Sequence, residues 1–407
     1  MRLTLPILLF AGALLVRILF NVYIVGFEDS GFQLYADSKD YDALGLSLAS
    51  GSGFADNHAP NTYRPPGYPF VLAAIYGLLG HHYAAVTIVQ SVLGALTCVL
   101  VLLIGERLFT QRVGMIAATI AAVYPFLVVY TGFVLAETLL VFLATLLLYV
   151  LARLRERPST GWIALGGIVL GIINLTRPAT IFLPIALFFW LWIEFGSRRR
   201  ALVIATAMIV WMLLVILPWT VRNYAVTHSF VLINTSNYYW SALYGANNRT
   251  IMQDPETIGG WIEPGRVEGY RPDFLLEDYR SAFFSFLRHY LGHEPLELLR
   301  LELHKLKRFW SLLPKTTYRD QIISLFSYGL LLPLFVVGLV RSLKAHPKPW
   351  LLIFWILYFC LITLVTYGST RLRLPVEPVL ILFGSVALER LWITRRTGEA
   401  HAEACAA

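Results

Sequence analysis

Charged residues are scarce in this chain: 14% of its 407 residues are Asp, Glu, Lys or Arg, against 57% apolar, and the mean hydropathy is +0.64. That balance excludes an ordinary soluble domain and points to a polytopic membrane protein. Cysteine is almost missing. Cys98 and Cys360 fall in apolar runs and Cys405 in the tail, so their spacing supports neither a disulfide framework nor a thiolate metal site. No nucleotide-binding Gly-rich loop, Rossmann fingerprint, internal repeat or low-complexity tract is present. The net charge of +8 is carried by short clusters between apolar runs, which is a topology signal and not a nucleic-acid surface.

Ten apolar segments have lengths compatible with crossing a bilayer. They are Leu3 to Val25, Ala84 to Gly105, Val113 to Gly132, Glu137 to Leu154, Trp162 to Leu175, Ala179 to Phe195, Ala201 to Val221, Ile322 to Val340, Trp350 to Tyr367 and Val376 to Leu391. The first contains Arg17 and has no persuasive cleavage site, so it is expected to remain as a span. With the N-terminus inside, every inward loop is basic: Arg107 and Arg112; Arg153, Arg155 and Arg157; Arg198 to Arg200; Arg341, Lys344 and Lys348; Arg390, Arg395 and Arg396. The fit requires Tyr68 to Gly80 to lie at the surface. The expected organisation is 1–221, a transmembrane module with its first outward loop at 26–83; 222–321, an outward insert; 322–394, the C-terminal transmembrane helices; and 395–407, a cytoplasmic tail. Within the insert, Pro272 to Arg308 is expected to be helical, with Leu296, Leu299, Leu303 and Leu306 on one stripe, lying on the membrane or beneath a small domain.

Polar chemistry collects on the outward side. Asp37 follows the first span, where a carboxylate serves either as a general base for an acceptor hydroxyl or amine or, like Asp40, as the cap of a helix over Tyr41 to Ala49. Asp42 and Asp56 are expected to be solvated. Arg64 opens Arg-Pro-Pro-Gly-Tyr-Pro, a stiff support from which a guanidinium can grip phosphate oxygens, a lipid headgroup or an aromatic ring. Glu137 stands at the membrane entry of the fourth span, either as a functional carboxylate or as a partner of the helix dipole.

Arg177, Arg222, Arg371 and Arg373 sit at outward span ends, which the positive-inside pattern leaves poor in arginine. They form a shared anion site from separated segments, or they snorkel individually. Arg17 points the same way or pairs with a neighbouring carboxylate. Tyr238, Tyr239, Trp240 and Tyr244 suit sugar stacking or headgroup anchoring. His81 and His82 lack companions at ligand spacing and suit the interface.

Asp37-Ser38-x-x-Tyr41, Arg64-Pro65-Pro66-Gly67-Tyr68-Pro69, Glu137, Thr176-Arg177-Pro178, Arg222-Asn223 and Arg371-Leu372-Arg373-Leu374-Pro375 together resemble the GT-C membrane glycosyltransferases. The likeness is to the bacterial branch related to protein O-mannosyltransferases and the lipid A aminoarabinose transferase, and it spans Leu3 to about Leu391. The resemblance implies an all-α polytopic membrane protein with about ten transmembrane helices, loops facing the periplasm and a small periplasmic insert. It also implies residence in the bacterial cytoplasmic (inner) membrane and inverting transfer of a sugar. The donor would be a polyprenyl-phosphate sugar, delivered from among the membrane lipids, and the acceptor a lipid, glycan or protein.

By this likeness Asp37 matches the catalytic acidic residue and Arg64 stands where relatives carry Lys or His. Arg64, Arg177, Arg222, Arg371 and Arg373 would then hold the donor phosphate, while Glu137, Tyr41 and Asp40 orient the acceptor or its neighbours. Ser38 stands where several relatives have a second acidic residue, which counts against a metal-bridged scheme; a divalent metal is left open but not indicated, and no other cofactor is certain. A transporter or flippase and a membrane scaffold are the competing function classes. Mid-membrane charges or repeated halves would favour the first; dispensable Asp37 and Arg64 would favour the second.

Overall fold

The computed structural model describes residues 4–25, 34, 37–56, 59–234, 236–270, 276–313, 318–344 and 348–406, with side chains at 24–25, 236–238, 276–277, 318–320 and 392–406 outside the description. The side chains of Tyr238, Arg395, Arg396 and Cys405 therefore lie outside the described residues. The helices are α1 (Thr4–Phe20), α2 (Asp37–Ala49), α3 (Gly67–Leu79), α4 (Tyr83–Leu108), α5 (Gln111–Val123), α6 (Pro125–Val129), α7 (Glu137–Glu156), α8 (Thr160–Thr176), α9 (Leu183–Phe195) and α10 (Arg198–Thr227). They continue as α11 (Ser236–Ala246), α12 (Arg249–Gln253), α13 (Leu276–His293), α14 (Pro295–Phe309), α15 (Tyr318–Ser324), α16 (Leu330–Lys344), α17 (Trp350–Val365), α18 (Thr370–Arg373) and α19 (Glu377–Ala406). Ala55–Asp56 and Ala59–Pro60 pair antiparallel as a minimal hairpin, β1 and β2.

Every segment expected to span is helical, but the count of ten is not established. Among the described residues six helices are long and apolar enough to cross a membrane. The expected third span is broken into α5 and a second piece, bent by 54°. The cause is Pro125, which has no N–H to give the Ala121 carbonyl. Arg17 supplies the missing donors: Nη2 donates to the Ala121 carbonyl at 3.2 Å and Nη1 to the Ala122 carbonyl at 3.0 Å. Its partners are thus carbonyls at a helix C-terminus, where the dipole favours a cation, and not the carboxylate expected from sequence.

The helix α7 is the hub: 78% of its apolar window is buried inside the protein, against 17% for peripheral α1. It packs on α4 and α8, while α8 packs on α10, α10 on α9, α9 on α17, and α19 closes against α5 and α16. Small residues set these approaches. A Cβ at Gly105 would stand 2.5 Å from the Gly114 Cα where α4 meets α5, and one at Gly338 would run into the Phe383 carbonyl where α16 meets α19. Such contacts let dispersion act between backbones where lipid offers no hydrophobic drive.

The insert has its own small core, including Tyr244, Ile251, Ile258, Tyr290 and Leu301. Its charged stretch is two helices, α13 and α14, interrupted at Glu294-Pro295. Leu296, Leu299 and Leu303 are exposed on α14, whose opposite face buries Leu301, Lys305 and Phe309. Leu296, Leu299 and Leu303 therefore do not pack beneath the small domain, while Leu306 is half-buried. The aromatic set is partly internal: Tyr244 packs edge-on to Tyr279 and Trp240 lies against Phe283 and Phe284.

Gly338→Val should lower stability by about 1–3 kcal/mol, the usual cost of forcing extra volume into a packed core. Thermal unfolding of the detergent-purified protein would read this as a lowered midpoint, while Gly77→Ala, where a Cβ meets nothing within 4 Å, should not show it.

Candidate active site

The segment between α2 and α3 is built to hold Arg64 in place. The Asn61 Oδ1 accepts the backbone N–H groups of Tyr63 and Arg64 at 2.9 and 3.0 Å, a local turn that Asn favours. The Pro65-Pro66 pair then stiffens entry into α3, whose first residue must be small. A Cβ on Gly67 would meet the Thr176 hydroxyl at 2.5 Å, so glycine lets α3 pack on the end of α8 next to Arg177. Tyr68, fully buried, donates to the Gln90 Oε1 at 3.0 Å, and the Gln90 amide donates to the Thr131 and Phe133 carbonyls of the turn before Glu137. One amide on α4 thus ties the Arg64 loop to the Glu137 turn.

Asp37 is the first residue of α2 and lies between two guanidinium groups. Arg64 Nη2 is 2.9 Å from its Oδ1, and Arg371 Nη2 donates to its Oδ2 at 3.2 Å. Arg64 also donates twice to the Asp40 Oδ2, from Nε at 2.9 Å and Nη2 at 2.6 Å, with the Tyr41 ring 5.6 Å from its guanidinium carbon. Arg371 donates from Nε to the Glu137 Oε1 at 2.8 Å and again from Nη2, while Arg177 Nη1 stands 3.6 Å from the same oxygen. Glu137 is buried, and among the described residues its Oε2 has no hydrogen-bond partner.

Asp37, Asp40, Tyr41, Arg64, Glu137, Arg177 and Arg371 therefore meet in one constellation drawn from separated segments. Burial pushes the Asp37 carboxyl up, but the two guanidinium groups outweigh it and hold it below the usual carboxylate range. Burial opposes the charge on Arg64 and on Arg371, and their carboxylate partners more than restore it, Asp37 foremost for Arg64 and Glu137 for Arg371. Asp37, Arg64 and Arg371 therefore stay ionised at neutral pH.

Two arginines are placed elsewhere. Arg222 donates to the Asn61 carbonyl at 2.7 Å and the Phe54 carbonyl at 2.8 Å and sits over the Phe54 and Trp219 rings. It pins the hairpin loop. Arg373 is fully buried, bonded to Glu377 and to the Phe309 and Ser311 carbonyls, with its guanidinium carbon 3.6 Å from the Tyr328 ring centroid.

Asp42, expected to be solvated, is buried instead: it accepts from Tyr76 at 2.6 Å and Tyr83 at 3.2 Å and lies 2.9 Å from His81 Nε2. Three aromatic partners from α3, the following turn and α4 replace its water. Gln90 and Lys305 were not singled out by sequence. The signal for Gln90 was a lone amide in an apolar run; Lys305 in a charged helix gave none. Among the described residues no group of three or more His, Cys, Asp or Glu could hold a metal ion.

Known proteins carry the same architecture. Residues 63–221 match the family model described as dolichyl-phosphate-mannose-protein mannosyltransferase. No curated protein matches the chain. Among solved structures, ArnT from Cupriavidus metallidurans bound to undecaprenyl phosphate superposes with a TM-score of 0.61 at 16% identity, covering 98% of this chain and 63% of ArnT. The archaeal oligosaccharyltransferase AglB from Archaeoglobus fulgidus, in complex with an inhibitory peptide and a dolichol-phosphate, gives a TM-score of 0.61 at 15% identity over 97% of this chain and 52% of AglB. The chain thus spans just under two thirds of the length of the one and about half of the other. The chain has the GT-C membrane fold, and its residues 63–221 carry the sequence pattern of the protein mannosyltransferase family.

Proposed function

We propose that this protein is an inverting glycosyltransferase that moves a sugar from a polyprenyl-phosphate donor to a lipid, glycan or protein acceptor. The observation that carries this reading is the convergence of Asp37 with Arg64, Arg371 and Glu137, joined by Arg177, at one end of the membrane bundle. ArnT bound to undecaprenyl phosphate and AglB in complex with a dolichol-phosphate supply the analogy for the lipid phosphate. We place the site on the periplasmic side of a bacterial inner membrane, because that orientation makes every inward loop basic. The domain division follows: 1–221 as the catalytic module, 222–321 as a periplasmic insert, 322–394 as the closing helices and 395–407 as a cytoplasmic tail.

The reaction is a single displacement. An acceptor hydroxyl or amine attacks the anomeric carbon, the bond from that carbon to the phosphate oxygen breaks, and the polyprenyl phosphate leaves with the electron pair. Asp37 takes the acceptor proton. Arg64, Arg177 and Arg371 meet the charge developing on the phosphate, Glu137 orients Arg371 and Arg177, and Asp40 with the Tyr41 ring orients Arg64. Arg222 and Arg373 act on the loops and not on the phosphate. Each oxygen of Asp37 faces one arginine and keeps a second lone pair with which to take the acceptor proton.

Radiolabelled polyprenyl-phosphate sugars supplied with membrane extract to purified protein test the assignment. Asp37→Asn should reduce transfer by roughly 100-fold or more, the range of general-base contributions; undiminished transfer refutes the base. Solute movement independent of donor would instead support a transporter, and neither activity a scaffold.

The pH profile gives a second check. A carboxyl held below its usual range loses its proton-accepting form only as pH falls through that lowered value, so Asp37 should impose no acid limb above about pH 4. Arg371→Gln removes one of the groups that depress it, and the limb should move to higher pH. A limb that stays in place argues against Asp37 as the titrating base.

A further inference from the structure

Arg371 lies on a short turn between α17 and α19, and that turn is pinned by the insert at three successive points. Lys305, buried completely on α14, donates to the Leu364 carbonyl in the last turn of α17 at 2.8 Å, with Asn247 Oδ1 and Glu302 Oε1 each 2.7 Å away. The Gly368 N–H donates to the Gly259 carbonyl at 2.8 Å, and a Cβ on Gly368 would collide with the Lys305 carbonyl. Beyond Arg371, the Arg373 guanidinium donates to the Phe309 and Ser311 carbonyls at the end of α14 at 2.9 and 3.2 Å. Arg308 of the same helix reaches back to the Ile258 carbonyl at 2.7 Å and to the Glu256 carbonyl, locking the Gly259 loop against α14.

We propose that the insert is a clamp that sets the position of Arg371, and that Lys305 is its central positioning residue. This inference rests on the transferase reading given above. Burial disfavours the Lys305 ammonium and pushes its pKa down, with Glu302 opposing the shift; a buried cation with three oxygen partners is costly unless all three are in place. Its position makes structural sense because the Leu364 carbonyl is at a helix C-terminus, where a cation is favoured. Between the pinned points Arg371 has little freedom to leave the reach of Glu137 and Asp37. A small shift of a charged group at a reacting centre is expensive: roughly an ångström of misplacement costs on the order of 100-fold in rate.

Lys305→Met, Lys305→Arg and Asn247→Ala, with Arg371→Gln as control, would be compared in the transfer assay using whichever labelled polyprenyl-phosphate sugar the wild type accepts. Lys305→Met should lower kcat by roughly 10- to 100-fold. It should also move the acid limb to higher pH by about one unit, the scale on which a neighbouring guanidinium acts on a carboxylate. Arg64, Asp40, Tyr41, Glu137, Arg177 and Arg371, which surround Asp37, are unchanged in that variant, so the shifted limb reports displacement of Arg371.

Lys305→Arg should restore part of the rate, and Asn247→Ala, which removes one of the three oxygen partners, should fall between. Lys305→Met that folds as wild type, judged by its unfolding midpoint, and keeps the wild-type kcat and limb overturns the clamp. Where Lys305→Met fails to fold, Asn247→Ala decides by the same two readouts. Absence of transfer by the wild type, or an Arg371→Gln limb that does not move, strikes at the transferase reading and not at the clamp.

Discussion

Arg371 is separated by 334 residues from Asp37 and by 234 from Glu137, yet it bonds to both. That bridge joins the turn between α17 and α19 to the start of α2 and to the head of the hub helix α7. Its energetics are unforgiving, since Glu137 is buried at a position where an unpaired carboxylate would be strongly destabilising. The surrounding structure is organised to keep the bridge made: Gly67 admits α3 against α8, Gln90 fixes the turn ahead of Glu137, and the insert holds the turn that carries Arg371.

Neutrality is a second consequence of this arrangement. Asp37, Asp40 and Glu137 face Arg64, Arg177 and Arg371, so a strongly charged set of side chains presents little net charge. An anionic ligand gains affinity here only by competing with the resident carboxylates. For the proposed lipid phosphate, discrimination would come from geometry, because a tetrahedral phosphate can engage guanidinium groups from several directions while each carboxylate is tethered to one helix.

Most of the helices were legible in sequence because apolar length in a lipid solvent leaves few alternatives. The helix at 67–79 was legible as an apolar run after the Pro-Pro pair, and Asp37, Arg64 and Glu137 stood out because charge is rare in such a chain. What stayed hidden depends on partners remote in sequence. Asp42 is chemically indistinguishable from a solvated loop residue until Tyr76, His81 and Tyr83 are folded around it. Arg222 and Arg373 look like Arg177 and Arg371 in a span-end pattern; the difference lies in which carbonyls come within their reach. Lys305 sits among Glu and Lys on an amphipathic helix, where composition predicts water and tertiary packing supplies a carbonyl instead.

The cap that Arg17 places on the broken helix α5 bears on how the chain is made. A guanidinium in a membrane segment carries an insertion penalty of about 2.5–3.5 kcal/mol near the middle of a helix. The carbonyls that relieve it, at Ala121 and Ala122, emerge from the ribosome more than one hundred residues later. During synthesis Arg17 has the Ala13 carbonyl of its own helix as a partner, 3.0 Å from Nη1, and its full set of carbonyls is complete only once the hairpin of α4 and α5 has been made.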